Sequence, residues 1–323
     1  MTAGPKIAVI GRGLIGSAAA RYLAADGHNV TLIGPTEPVE KRTHQGVFGS
    51  HYDEGRITRK NATDRFWAEA SIASIARYKE IEASSGSAVF SPVGALMAGA
   101  DDGAFLKDAR QVASELSVLH QDLSQELLAE VIPDLTLPNG WSALWEPQDS
   151  GHISPRRLVA AQTKLATVAG AMLWDVAVIG LKETASGVRV QTTEGRHDFD
   201  QVLVAAGGMS DHVLGRPPSY RVCGRTVALF ELSEAEAERL SHLPSLVMGT
   251  PEGHYLLPPI RYPDGKTYMK LGGDPDDILL TSPQDIGDWF RTGGRIEVRD
   301  DQTARFRVLF PGVEFKSVSM DAC

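Results

Sequence analysis

Three glycines near the N-terminus, Gly11, Gly13 and Gly16, stand at the GxGxxG spacing. Their chemistry is that of an anion cradle. The first glycine permits a tight turn, the second lets a pyrophosphate approach the backbone, and the third lets a helix pack close to a strand. The helix that follows offers unpaired N–H groups to the anion. A second group lies at residues 49–59, GSHYDEGRITR, which places one histidine, two acids and two arginines in a short span. It is too broken for a helix and too charged for a buried strand, so a solvated loop is its plain reading. Lys270 stands in MKLGG, and Cys223 and Cys323 are the two cysteines.

Positioning the glycines takes a strand before them and a helix after. Residues 7–10 form a short apolar run suited to a strand buried on both faces. Small and apolar residues then recur at helical intervals to Ala25, and Gly27 marks a C-terminal stop. NVTLI supplies the next strand, so the framed motif predicts a dinucleotide site. The acid that ordinarily receives the adenosine ribose, roughly 20 residues beyond the glycines, is missing, because Gly34 stands there. Thr36, Glu37 or backbone groups then take its place. Lys41 and Arg42 keep a 2′-phosphate, and hence NADP, open as a rival, unless they are plain loop charges.

Composition limits the rest. A chain of 323 residues, 42% hydrophobic and 23% charged, can bury a large core and is long enough for two domains. The net charge is −9 with lysines and arginines scattered among acids, which argues against a phosphate-tracking nucleic-acid surface. Two cysteines do not make a disulfide scaffold and fit a reducing compartment. The nine histidines show no CxxC or HExxH arrangement, so no metal site is expected. An apolar strand begins close to the N-terminus, and no run approaches roughly 18 apolar residues. A cytoplasmic protein with no membrane partner is expected.

Along the chain, residues 62–85 have helical spacing, 91–99 read as a strand, and 105–131 as one or two helices. Residues 132–151, rich in Pro and Trp, read as an irregular excursion, and a helix runs from Pro155 to about Ala169. Residues 171–183 and 187–195 alternate like strands. Residues 201–214 read as a second buried strand breaking at Gly207 and Gly208 into a helix. Residues 226–232, 254–262 and 267–273 read as antiparallel strands. A nucleotide-binding unit interrupted by insertions that form a mixed-sheet second domain accounts for this order.

Five patches make the chain similar to the flavin-dependent amine oxidases related to monomeric sarcosine oxidase and N-methyltryptophan oxidase, within the D-amino-acid-oxidase-like group. They are the glycine motif, SHYDEGRITR, GHISPRRLV with VAV near Val176 beyond it, VLVAAGG, and YLLPPIRYPDGKTYMKLGG. RITR and KLG discriminate, since other flavoproteins share the glycines. The resemblance implies an α/β fold with a Rossmann-like FAD-binding domain at residues 1–90 and 146–222. An inserted α+β substrate domain on a mixed, largely antiparallel sheet is expected at 91–145 and 223–319. Residues 320–323 would begin a return to the FAD domain, and the resembled family continues beyond that point.

By the same resemblance FAD is the cofactor, held by Gly11, Gly13, Leu14, Ile15, Gly16, Ser50, Val176, Ala206 and Gly207. Cys323 falls where sarcosine-oxidase relatives attach the flavin covalently. Arg56 is expected close to the isoalloxazine ring. Arg59 is expected on the substrate carboxylate, a task suited to a forked guanidinium that keeps its charge. Lys270 would promote reaction with oxygen, as a fixed cation stabilises developing superoxide where little water is present. Tyr255 matches an active-site tyrosine and His51 the loop histidine. Asp274 stands where the sarcosine enzymes carry histidine, which points away from sarcosine itself. The expected activity is oxidation of a secondary or primary amino acid to the imine, with oxygen as acceptor and peroxide as product. The alternatives are a flavin dehydrogenase with another acceptor, a nicotinamide-dependent dehydrogenase, and a truncated non-catalytic binding module.

Overall fold

In the computed structural model, which describes residues 4–323, the glycine motif joins the strand Lys6–Ile10 to the helix Leu14–Ala25, and the next strand is Asn29–Ile33. The two strands are parallel neighbours in a four-stranded sheet, flanked by Gln201–Val204 on one side and Met172–Trp174 on the other. One face of this sheet packs under the helix through Val9, Leu32, Ala20 and Ala24. The other face is covered by the antiparallel strands Val178–Thr184, Gly187–Thr192 and Gly195–Phe199, with Ala8, Ile10 and Ile33 meeting Val190 and Phe199. Burial on both faces is why residues 7–10 are an unbroken apolar run. The strand at residues 201–204, expected to be buried, lies at the sheet edge, and its Leu203 is 42% exposed.

The second large sheet has eight strands, in the order Ser317–Ala322, Thr226–Glu231, Thr267–Gly272, Tyr255–Arg261, Ser245–Met248, Ala95–Ala100, Trp141–Glu146 and Gln121–Leu123. Neighbours are antiparallel except Ser245–Met248 with Ala95–Ala100, so the sheet is mixed and largely antiparallel. The helix Ile296–Leu309 closes one face, and its Phe306 stacks on Phe230 with ring centroids 3.9 Å apart. Each such buried side chain contributes roughly 1.5–3 kcal/mol. Pro258 and Pro259 sit where the Tyr255–Arg261 register shifts, because neither offers an N–H to the ladder.

Residues 132–151, read as irregular, contain the interior strand Trp141–Glu146. Its WSALWE pattern does not alternate cleanly, and pairing along both edges supplies what local periodicity lacks. The first long helix after the loop begins at Arg65, where the Asp64 carboxylate accepts the Trp67 N–H at 3.1 Å. A small three-stranded sheet of Arg56–Thr58, Gly151–Ile153 and Phe90–Ser91 carries the arginine loop. Among the described residues no helix is long and apolar enough to cross a membrane.

Candidate active site

The three glycines do different work. Gly11 has φ +108°, and a Cβ there would stand 2.2 Å from the Ala205 carbonyl oxygen. A Cβ at Gly16 would stand 1.8 Å from the Gly11 carbonyl oxygen, so both positions serve close packing of strand, helix and the Ala205–Ala206 turn. Gly13 is open: a Cβ there would meet only the His51 Nδ1, at 3.8 Å. Gly13 also caps the helix without any side-chain hydrogen bond, which leaves first-turn N–H groups facing that space. An uncapped helix terminus with room before it fits a pyrophosphate. Leu14 packs into an apolar cluster with Ile75 and Leu158, and the Ile15 side chain is 75% exposed. Gly207 adopts φ +55° in the turn that follows the edge strand, next to Ala206. His51 is half-buried and packs edge-on against Tyr52, and burial pushes its pKa down to about 4, with Glu37 opposing.

At the end of the second strand, a Cβ at Gly34 would lie 2.7 Å from both the backbone N and the Cβ of Arg12, so this turn excludes an acid there. Glu37 is held by Arg156 and the Lys41 ammonium by Asp321 at 2.7 Å, which engages two of the loop groups weighed for the adenosine end. The Thr36 N–H donates to Asp175 Oδ1 at 2.8 Å. Asp175 thus reaches this place from the neighbouring strand end. With Trp174, Val176, Glu194 and His197 it lines a cleft of about 440 Å³ beyond the parallel sheet.

Lys270 lies on an interior strand of the eight-stranded sheet and is 2% exposed, so it is not a solvent-facing lysine of a sheet edge. Its Nζ donates to Asp53 Oδ2 and to the Gly55 carbonyl, each at 2.5 Å. Asp53 also accepts the Glu54 N–H at 2.8 Å and the Tyr262 hydroxyl at 3.1 Å. Burial opposes ionisation of both Lys270 and Asp53, but their mutual attraction outweighs it: the lysine pKa is raised and the aspartate pKa lowered. Both remain charged. The half-buried Tyr255 lies across Lys270 with its ring centroid 5.8 Å from Nζ. A Cβ at Gly272 would stand 2.3 Å from that ring, which is the physical reason for the glycine after KL. Burial raises the Tyr255 pKa and keeps its hydroxyl protonated. A narrow cleft beside this group is lined by Ser50, Asp53, Leu229, Tyr262 and Cys323.

Arg59 follows the strand Arg56–Thr58. Its Nε is buried without a hydrogen-bond partner among the described residues, and burial lowers its pKa against the opposing pull of Glu146. The Glu146 carboxylate is engaged elsewhere, accepting the N–H groups of Lys60 and Asn61 at 3.0 and 2.5 Å and the Ser150 hydroxyl. Arg59 is therefore suited to an incoming anion. Arg56 instead folds back on its own loop, donating from Nη2 to the Ser50 carbonyl at 2.8 Å. Asp274 is buried and bound to Arg295 at 2.6 Å.

The structure thus brings Lys270, Tyr255 and Cys323 to one place, and the glycines, His51 and Ala206 to another, with Val176 at a third beyond the parallel sheet. Sequence reasoning gave no role to Asp53 or Tyr262. The Asp53–Lys270 contact spans 217 residues, and the only local signal was an acid in the same short loop as two arginines.

The model of the DAO family, FAD dependent oxidoreductase, matches residues 6–321. N-methyl-L-tryptophan oxidase of Yersinia pestis (strain Pestoides F) is 27% identical over 276 residues, covering 85% of this chain and 71% of that one. Among solved structures, the open form of NikD, an unusual amino acid oxidase essential for nikkomycin biosynthesis, superposes with a TM-score of 0.77 at 21% identity, covering 100% of this chain and 82% of that one. L-proline dehydrogenase from P. horikoshii superposes with a TM-score of 0.74 at 18% identity, over 100% and 82% of the two chains. These two likenesses establish the fold.

Proposed function

The chain belongs to the FAD-dependent oxidoreductase family, and from that premise we propose that it binds FAD and oxidises a secondary or primary amino acid to the corresponding imine. The observation that carries this reading is one short segment holding two cation sites. Its Gly55 carbonyl binds the buried Lys270, and a few residues on, Arg59 keeps a buried guanidinium nitrogen without a partner.

FAD, when bound, supplies the two-electron sink. Gly13, with the backbone of Leu14, Ile15 and Gly16, would hold its pyrophosphate, with Gly11, Ala206 and Gly207 shaping that turn. Val176 would line the adenosine end, and Ser50, Arg56 and Cys323 the flavin end. Arg59 binds the substrate carboxylate and so fixes the position of the α-carbon. His51 closes the mouth of the cradle as a neutral imidazole. Tyr255, protonated, offers a hydroxyl beside Lys270. Dioxygen takes two electrons and two protons at Lys270 and leaves as hydrogen peroxide. The pairing of Lys270 with Asp53 favours a second reading, in which an acceptor other than dioxygen takes the electrons.

The test is a visible spectrum of the purified protein, followed by anaerobic mixing with N-methyl, cyclic and D-amino acids. A flavin spectrum bleached by at least one of them supports the reading, and peroxide on admitting air supports dioxygen as acceptor. Tight binding of NADP with no flavin would sink it.

A further inference from the structure

We propose that Asp53 restrains the transfer of electrons from this site to dioxygen, acting as a positioning residue through Lys270. The proposal rests on the flavin-dependent reading above.

Asp53 and Lys270 form a built pair. The Lys270 ammonium is almost wholly enclosed and has two oxygen partners, Asp53 Oδ2 and the Gly55 carbonyl, both at 2.5 Å. Asp53 is itself fixed twice more, by the Glu54 N–H of its own loop and by the hydroxyl of the distant Tyr262. Around the ammonium stand the Tyr255 ring on the adjacent strand and Cys323, which shares a cleft with Asp53. His152 is near enough for Lys270 to help lower its pKa.

Handing the first electron to dioxygen makes superoxide, a small anion. A lone ammonium in a site with little water stabilises that anion strongly. An ammonium in contact with a carboxylate presents a dipole with no net charge, and most of that stabilisation is lost. A quinone that spreads its charge over a ring is affected less. The balance is the same for either acceptor. The amine gives up two electrons and two protons to become the imine, and these convert dioxygen to hydrogen peroxide or a quinone to its hydroquinone.

The test compares the wild-type protein with Asp53→Asn, Asp53→Ser and the double variant Asp53→Asn/Lys270→Met. After anaerobic reduction by an amine, each is mixed with dioxygen or with a soluble benzoquinone. The Asp53 single variants should react with dioxygen at least about tenfold faster than wild type and with the quinone within about threefold. The gain should vanish in the double variant and also at pH above the new Lys270 midpoint. That midpoint is read separately, in the protein without flavin, from the NMR signal of isotope-labelled lysine, with Lys270→Met giving the assignment. It should fall when Asp53 is replaced, since a buried ammonium without its counter-ion favours the neutral form. An unchanged midpoint would overturn the pairing, and unchanged reaction with dioxygen would overturn the restraint. A protein that takes up no flavin would defeat the functional reading as well, and the NMR midpoint would tell that failure apart from a missing ion pair.

Discussion

Arg156 grips Glu37 fork to fork, with Nε and Nη2 donating to the two carboxylate oxygens at 2.6 and 2.7 Å. Its remaining Nη1 donates to Glu54 at 2.5 Å, and Glu54 also accepts the Ser154 hydroxyl at 2.8 Å. One guanidinium at the start of the helix Pro155–Val168 thus ties down both the loop after the second parallel strand and the arginine loop.

Arg156→Ala is expected to destabilise the fold by roughly 3 kcal/mol, because it strands the buried Glu54 carboxylate without its main partner. Glu37→Ala should cost less, about 1 kcal/mol, since Glu37 is nearer solvent. Urea denaturation of the two variants measures the difference. Equal losses would show that Glu54 is not the group that depends on Arg156.

The glycines separate packing from binding. Gly11→Ala and Gly16→Ala drive a methyl into backbone and should lower the melting temperature sharply. Gly13→Ala meets only the His51 Nδ1, at an ordinary contact distance of 3.8 Å, so the fold should tolerate it while FAD affinity falls. Thermal melting without flavin, set beside a flavin titration, reads both effects. Unchanged affinity in Gly13→Ala would place the pyrophosphate elsewhere.

Arg59→Ala should weaken a carboxylated substrate at least tenfold, the scale of losing one charge-assisted contact of about 1.5–3 kcal/mol. FAD affinity should stay within about threefold. The comparison that decides is between an amino acid and the same amine lacking its carboxyl group. Equal losses for the two would remove Arg59 from carboxylate binding.

His152 and His51 set an acid limit on stability. Burial pushes each from the ordinary 6.5 to about 4, and Arg157 and Lys270 add to the effect at His152. Between those values the unfolded chain takes up protons that the folded chain refuses, so stability present above the ordinary value is lost as pH falls towards 4. His152 is 4% exposed and should dominate, while solvent screens the half-buried His51. His152→Gln should flatten the fall in urea midpoint between about pH 7 and 5. A slope as steep as in the wild-type protein would assign the acid sensitivity to other groups.

Local signals carried much of this molecule. The run at residues 7–10, the glycine spacing and the strand-like stretches at 226–232, 254–262 and 267–273 depend on neighbours in the chain, and they placed the first strand, helix and second strand together with the antiparallel strands. Where burial comes from distant partners, local pattern misled. Trp141–Glu146 was hidden by an uneven pattern that its flanking strands complete, and residues 201–204 looked buried although one side of that strand has no neighbour among the described residues.

The same division holds in the candidate site. Sequence by itself determined which residues are available: a cradle of glycines, two arginines in one loop, one lysine before Leu-Gly-Gly. It also determined that Gly34 supplies no acid for a ribose. Only the tertiary structure decided which of these charges are already satisfied. Arg56 bonds its own loop, Glu37 is taken by Arg156, the charged Lys270 is paired with the charged Asp53, and Arg59 keeps a buried nitrogen without a partner among the described residues. The reason is physical: a side chain's type is fixed by the chain, but its net electrostatic effect depends on what lies within a few ångströms, and those neighbours come from residues far away in sequence.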